Sequence, residues 1–181
     1  KLKSKNALGA LTELIVAADN KEPVLRHAGV IGLVGVATPR ELEAYAGYPS
    51  EAMRIAAVVA LRRLRAVKEL TAFVNDASPQ VMSDAVRAIY DEAAPQTFVE
   101  HPKALAAVAA ALDPQHSVSV NVRAIAANRR LGTIASAKRI SGFLATPNLG
   151  RALRVEALYA LQSWPQASTL LPWRIHCSWI L

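Results

Sequence analysis

The sequence holds a single cysteine, Cys177, in 181 residues. One thiol cannot close an intramolecular disulfide, and it cannot furnish a zinc site of several thiolates. Covalent haem attachment needs Cys-x-x-Cys-His, whereas here the order is His176-Cys177 with no second thiol. Aromatic residues are also scarce, at 6%. Sheets draw on β-branched and aromatic side chains, so this scarcity argues against a β architecture. The eight glycines are dispersed, which leaves no glycine-rich loop to cradle a phosphate. Among His27, His101, His116 and His176 no pair has the i, i+4 spacing of a helical zinc site. No apolar run reaches the roughly 20 residues of a membrane-spanning helix, since Arg54 and Arg62 interrupt the longest candidates. No metal, cofactor or transmembrane segment is expected, and no constellation of side chains reads as an active site.

What is abundant is alanine, within a hydrophobic share of 52%. Alanine has the best helix propensity, and its small side chain lets helices approach closely. A repeat is visible. Leu25-Arg26-His27-Ala28-Gly29-Val30-Ile31-Gly32-Leu33 aligns with Met53 to Leu61 and with Leu153 to Leu161. Divergent copies run from Val81 to Ile89 and from Val122 to Leu131. The starts are then separated by 28, 28, 41 and 31 residues. The apolar and small positions recur three and four apart, which is helical spacing.

A second, shorter helical segment lies near each copy, at Thr38–Ala46, Val67–Asn75, Lys103–Leu112 and Ser136–Ala145. Prolines 23, 39, 49, 79, 102, 114, 147 and 165 fall between helices or in their first turns, where proline costs little. Asn20, Thr38, Ser50, Ser78 and Asn148 are cap candidates. The expected fold class is all-α, a HEAT-like α-solenoid of about five helical hairpins. Its repeat domain should span residues 1–165. Residues 166–181 carry two tryptophans and no repeat, and read as an irregular tail, either a capping segment or a truncated or non-native end.

The net charge is +7. The repeat arginines Arg26, Arg54, Arg123 and Arg154 are candidates for a stacking ladder or for anion contact, because the planar guanidinium suits both. Asp19, Asp76 and Asp113, in the turns, are their candidate partners. A possible basic patch comprises Arg62, Arg63, Arg65, Lys68, Arg129 and Arg130, with Lys138 and Arg139 as a further cluster. Few aromatic rings lie between these cations to stack bases, which weighs against nucleic acid. The carboxylates are scattered and form no catalytic or metal-binding pair.

Asn128-Arg129-Arg130-Leu131-Gly132-Thr133, followed by Leu153 to Leu158 and Ser163-Trp164-Pro165, has a family likeness. So has Ala60 to Leu64 leading to Phe73-Val74-Asn75-Asp76 and on to Ile89. Over roughly Asn20–Pro165 the chain resembles the HEAT-repeat region of membrane-bound dehydrogenase–cytochrome c proteins, the large PVC-type haem-binding proteins of planctomycetes and verrucomicrobia. In that family a sugar-dehydrogenase-like β-propeller precedes the repeats and a c-type cytochrome domain follows them. The resemblance implies a non-catalytic scaffold that contacts a neighbouring domain or another protein. It also implies a periplasmic or membrane-associated setting. Arg129 departs from the family pattern, which has an aromatic there, and the Asp-containing continuation after Pro165 is replaced, with only Trp173-Arg174 similar. The alternative is a HEAT-repeat protein that binds nucleic acid on a basic concave face. An enzyme acting on a bound chromophore is the third class, and no residue favours it.

Overall fold

The structure is a computed structural model that describes residues 5–92 and 101–164. The tail at 166–181, with His176 and Cys177, lies outside the described residues, as does Phe98. Among those described, all regular structure is helical. The chain runs through α1 (Lys5–Ala18), α2 (Pro23–Val36), α3 (Pro39–Glu43), α4 (Glu51–Arg63), α5 (Val67–Leu70) and α6 (Pro79–Glu92). It continues through α7 (Pro102–Ala110), α8 (Val118–Leu131), α9 (Ile134–Leu144) and α10 (Arg151–Gln162). Short 3-10 turns at Ala44–Gly47 and Thr71–Phe73 extend α3 and α5.

The long helices α2, α4, α6, α8 and α10 form one row, each packed on the next. The other five back onto them: α1 on α2, α3 on α4, α5 on α4 and α6, α7 on α8, and α9 on α8 and α10. One buried cluster runs from Ile15 to Ala127, and a second joins Ile125 to Phe143, Leu153 and Ala160. Helix α8 contributes to both.

The first turns set a common register. The hydroxyls of Ser50, Ser78 and Ser117 accept hydrogen bonds from the amides of Met53, Val81 and Val120. Glu22 and Gly150 hold the same cap position on α2 and α10. Counted from these caps, the third position is Leu25, Met53, Val81, Val120 and Leu153. The spacings are therefore 28, 28, 39 and 33. The fourth copy begins at Val120 rather than at Val122, because the Ser117 cap, not the arginine at 123, fixes where that helix starts. Of the expected caps, Thr38 also serves, in a reciprocal capping box with Glu41. Asn20 and Asn148 do not cap a helix; they take left-handed turn conformations, with φ of 57° and 58°, which asparagine tolerates. Arg65, with φ 54°, closes α4 as Gly132 closes α8. The Ala66 amide reaches back to the Leu61 carbonyl there, and the Arg65 amide to that of Arg62.

At the seventh and tenth positions the residues are glycine in α2 and alanine in α4, α6, α8 and α10. Their size sets how closely the backing helices approach. A Cβ on Gly29 would lie 2.6 Å from Cγ1 of Ile15 on α1, whereas one on Gly35 would meet nothing within 4 Å. Gly29→Ala is therefore expected to lower stability by about 1–2 kcal/mol through overpacking. Gly35→Ala should raise it by about 0.5 kcal/mol through helix propensity. Urea midpoints of the two variants test this pair, and equal shifts would show that α1 does not fix the spacing.

Candidate functional site

The fourth position after the cap carries Arg26, Arg54, Met82, Asn121 and Arg154. Arg54 is the most fully engaged. Its Nε and one Nη donate to the two carboxylate oxygens of Asp76, at 2.8 and 3.1 Å. Its other Nη donates to the carbonyls of Tyr48 at 2.7 Å and Pro49 at 3.2 Å. The guanidinium thus ties the turn before α4 to the turn before α6. Asp76 is only 3% exposed and also accepts the Ser78 amide, so the pair is shielded from solvent.

The other repeat arginines differ. Arg26 is exposed and has no side-chain partner among the described residues, while Asp19 pairs with Lys21 at 3.1 Å. Arg123 donates to the carbonyl of Ser119 in its own helix and does not meet Asp113. Arg154 reaches only the carbonyl of Leu149, at 3.5 Å.

In α8 the ladder position belongs to Asn121, a residue the repeat alignment missed. Fully buried, its side chain accepts the Asp113 amide and donates to the carbonyls of Asp113 and His116. It clamps a turn as Arg54 does, without a charge. The His116 ring is itself satisfied by the Ala111 carbonyl at 2.9 Å. Two turns further on, buried Asn128 donates to Ala109 and Ala124 carbonyls at 2.8 Å and accepts from Arg139 at 2.6 Å. Arg139 is therefore a tie between α9 and α8 rather than part of a free basic surface. Polar residues recurring at helical spacing in α8, Asn121 and Asn128, were the available signal.

The expected basic patch does not form one surface. Arg62 pairs with Asp91 at 3.2 Å, Arg87 with the same carboxylate at 3.6 Å, and Arg65 with Glu92 at 3.9 Å. Arg63 points into a groove described below, and Lys68 is exposed on α5. The Nε of Arg129 donates to the Ser163 carbonyl at the end of α10, where a cation suits the helix dipole.

Arg130, Arg129 and Arg123 act together on Tyr90 of α6. Burial raises the pKa of this phenol above its ordinary 10.0, and the three arginines oppose the rise. A raised folded-state pKa favours the folded protein below the unfolded value, and that contribution is lost as pH climbs through the folded one. Tyr90→Phe should therefore unfold less steeply with alkali than the wild type. Alkaline urea midpoints and the tyrosinate absorbance of both proteins measure this, and identical pH profiles would remove Tyr90 as the cause.

Two hollows among the described residues bear on binding. One of about 330 Å³ lies between the turns at Asp76 and His116, with Met82 and Val120 in its wall. The larger, about 640 Å³, is a groove along α4 flanked by α2 and α6. Glu51, Ile55, Val59 and Arg63 line it from α4 at i, i+4, i+8 and i+12, one face of the helix. Arg26 and Val30 of α2 and Gln80 and Asp84 of α6 form its sides. The middle is apolar and the ends are charged. No protein-family model, curated protein or solved structure matches the chain. Among the described residues no helix is long and apolar enough to cross a membrane, and no cluster of three His, Cys, Asp or Glu residues could hold a metal ion.

Proposed function

We propose that the chain is a HEAT-like α-solenoid of about five hairpins serving as a non-catalytic scaffold, and that the groove along α4 docks a neighbouring domain or protein. The setting we propose is a larger sugar-dehydrogenase–cytochrome c protein, on the resemblance of the repeat segments. Support for the repeat architecture comes from the shared cap register of α2, α4, α6, α8 and α10 and from the Arg54–Asp76 tie between successive turns. The observation that carries the binding role is the groove itself. Ile55 and Val59 offer it an apolar floor, while Arg26 and Arg63 have no carboxylate partner among the described residues. An apolar surface with acidic flanks is the complementary partner.

The test is calorimetric titration of the chain with separately produced propeller and cytochrome domains of a protein of that class. Binding by either, lost in Val59→Arg, supports the reading; no binding by both overturns the docking role. Sugar oxidation by the isolated chain, or stoichiometric haem uptake, would overturn the scaffold role.

Nucleic-acid binding is the second reading, favoured by the net charge of +7 and by the positive field that Arg123, Arg129 and Arg130 exert at Tyr90. The ion pairs of Arg54, Arg62, Arg65 and Arg87 weigh against it. Binding that falls steeply with salt would support it, since phosphate contacts release counterions.

A further inference from the structure

The fourth position after the cap has a recurring task. In α4, α8 and α10 its side chain donates to the carbonyl of the residue just before the cap: Arg54 to Pro49, Asn121 to His116 and Arg154 to Leu149. In α6 the position belongs to Met82, which has no donor. The carbonyl that goes without is that of Ala77, and no described residue donates to it or to the carbonyl of Asp76. One repeat earlier, the carbonyls at those two positions, of Tyr48 and Pro49, both accept from Arg54.

The hollow of about 330 Å³ lies at this place. Ala77, Met82 and Gln115 are in its wall. Gln115 stands two residues before the Ser117 cap, as Asp76 stands two before the Ser78 cap. In the preceding repeat the corresponding space, from the Tyr48 and Pro49 carbonyls to the Asp76 carboxylate, is filled by the Arg54 guanidinium. The hollow is thus the place of a guanidinium that the fourth position of α6 does not supply.

Its chemistry is that of an acceptor site. Pro79, at the first position of α6, has no amide hydrogen to offer an anion. The Ser78 and Val120 amides are already bonded, to the Asp76 carboxylate and to Ser117 Oγ. His116 donates from Nδ1 to the Ala111 carbonyl, which leaves Nε2 of the neutral ring as an acceptor. The turn before α8 also carries Asp113, an exposed carboxylate that accepts the Gln115 amide and has no cation partner among the described residues.

We propose that this hollow binds an arginine side chain of a partner segment, which inserts between the turns before α6 and α8 and makes there the tie that Arg54 makes one repeat earlier. The guanidinium fork spans the two turns, with the Asp76 and Ala77 carbonyls on one side and the Gln115 amide oxygen on the other. Asp113 of the same turn supplies the opposite charge. A lysine ammonium is a point donor and does not match two separated sets of acceptors. The site is separate from the groove along α4 and stands if that groove binds nothing.

Amide-resolved NMR titration of the full, isotope-labelled chain with N-acetyl-arginine amide tests this. Saturable shifts are expected at Ala77, Ser78, Gln115 and Ser117, with a dissociation constant on the order of millimolar for a lone side chain. N-acetyl-lysine amide should bind at least about threefold more weakly. Gln115→Leu, at an exposed position, should weaken the arginine analogue by about threefold or more, with unchanged helical circular dichroism. Met82→Arg supplies the guanidinium from within and should abolish the response; if the longer side chain at this buried position disturbs the fold, Gln115→Leu decides. An absence of saturable shifts at these amides overturns the proposal. So does equal binding of the lysine analogue, or a Gln115→Leu protein that binds as the wild type does. Binding of inorganic phosphate at the same amides in place of the arginine analogue would overturn it too, in favour of an anion at the start of α8.

Discussion

Arg54→Met is expected to lower the unfolding free energy by about 3 kcal/mol, read as a fall in the urea midpoint at unchanged slope. The substitution leaves Asp76, only 3% exposed, with the Ser78 amide but no cation. It also strips the carbonyls of Tyr48 and Pro49 of their donor. Breaking one side of a shielded ion pair costs more than the pair contributes, because the remaining charge stays desolvated. Methionine is the informative replacement, since Met82 occupies the same register in α6. The double variant Arg54→Met, Asp76→Ala should recover more than half of the loss, and the cycle isolates the coupling. A single-variant loss below about 1 kcal/mol would instead place this arginine with ordinary surface ion pairs.

Asn128 carries the second large effect. Asn128→Leu places an apolar residue where Leu33 and Leu61 already sit in their own helices, so repeat logic alone would call it neutral. The hydrogen bonds say otherwise. The Ala109 carbonyl, near the end of α7, and the Arg139 guanidinium both lose their partner. A helix-end carbonyl has no intrahelical donor to fall back on. The expected cost is about 2–3 kcal/mol, and Asn128→Ala should cost about 1 kcal/mol more through the cavity it leaves. Urea denaturation of both variants decides the matter. A leucine variant as stable as the wild type would mean that the asparagine network contributes nothing net.

These two residues also mark where the sequence was readable. Arg54 stands in a visible repeat and Asp76 in a visible turn, so their pairing was among the expected contacts. Asn121 and Asn128 break the apolar pattern, and a periodicity argument treats such residues as noise. Arg123 drew the alignment two residues out of register because an arginine is easier to match than a cap. The basic cluster at Arg62, Arg63, Arg65 and Lys68 looked continuous along the chain. Helical geometry and the Arg65 turn send its members in different directions, and three of the chain's remaining acids, Asp76, Asp91 and Glu92, take up neighbouring arginines.

The sequence by itself determined that the chain is helical, where most helices begin, and which residues face inward. Those features depend on propensity, capping and a periodicity near 3.6, all of which act between residues a few positions apart. Only the tertiary structure decided that Asn121 stands in for an arginine, that Arg139 is spent on Asn128, and that Ile55 and Val59 floor a groove. It alone set exposed Leu158 apart from buried Val30, Val58, Val86 and Ile125, which share its register, since burial at that position depends on which of the described helices pack against it. Burial and partnership at such positions are settled by which neighbours are present, and that is a property of the assembled row rather than of any single repeat.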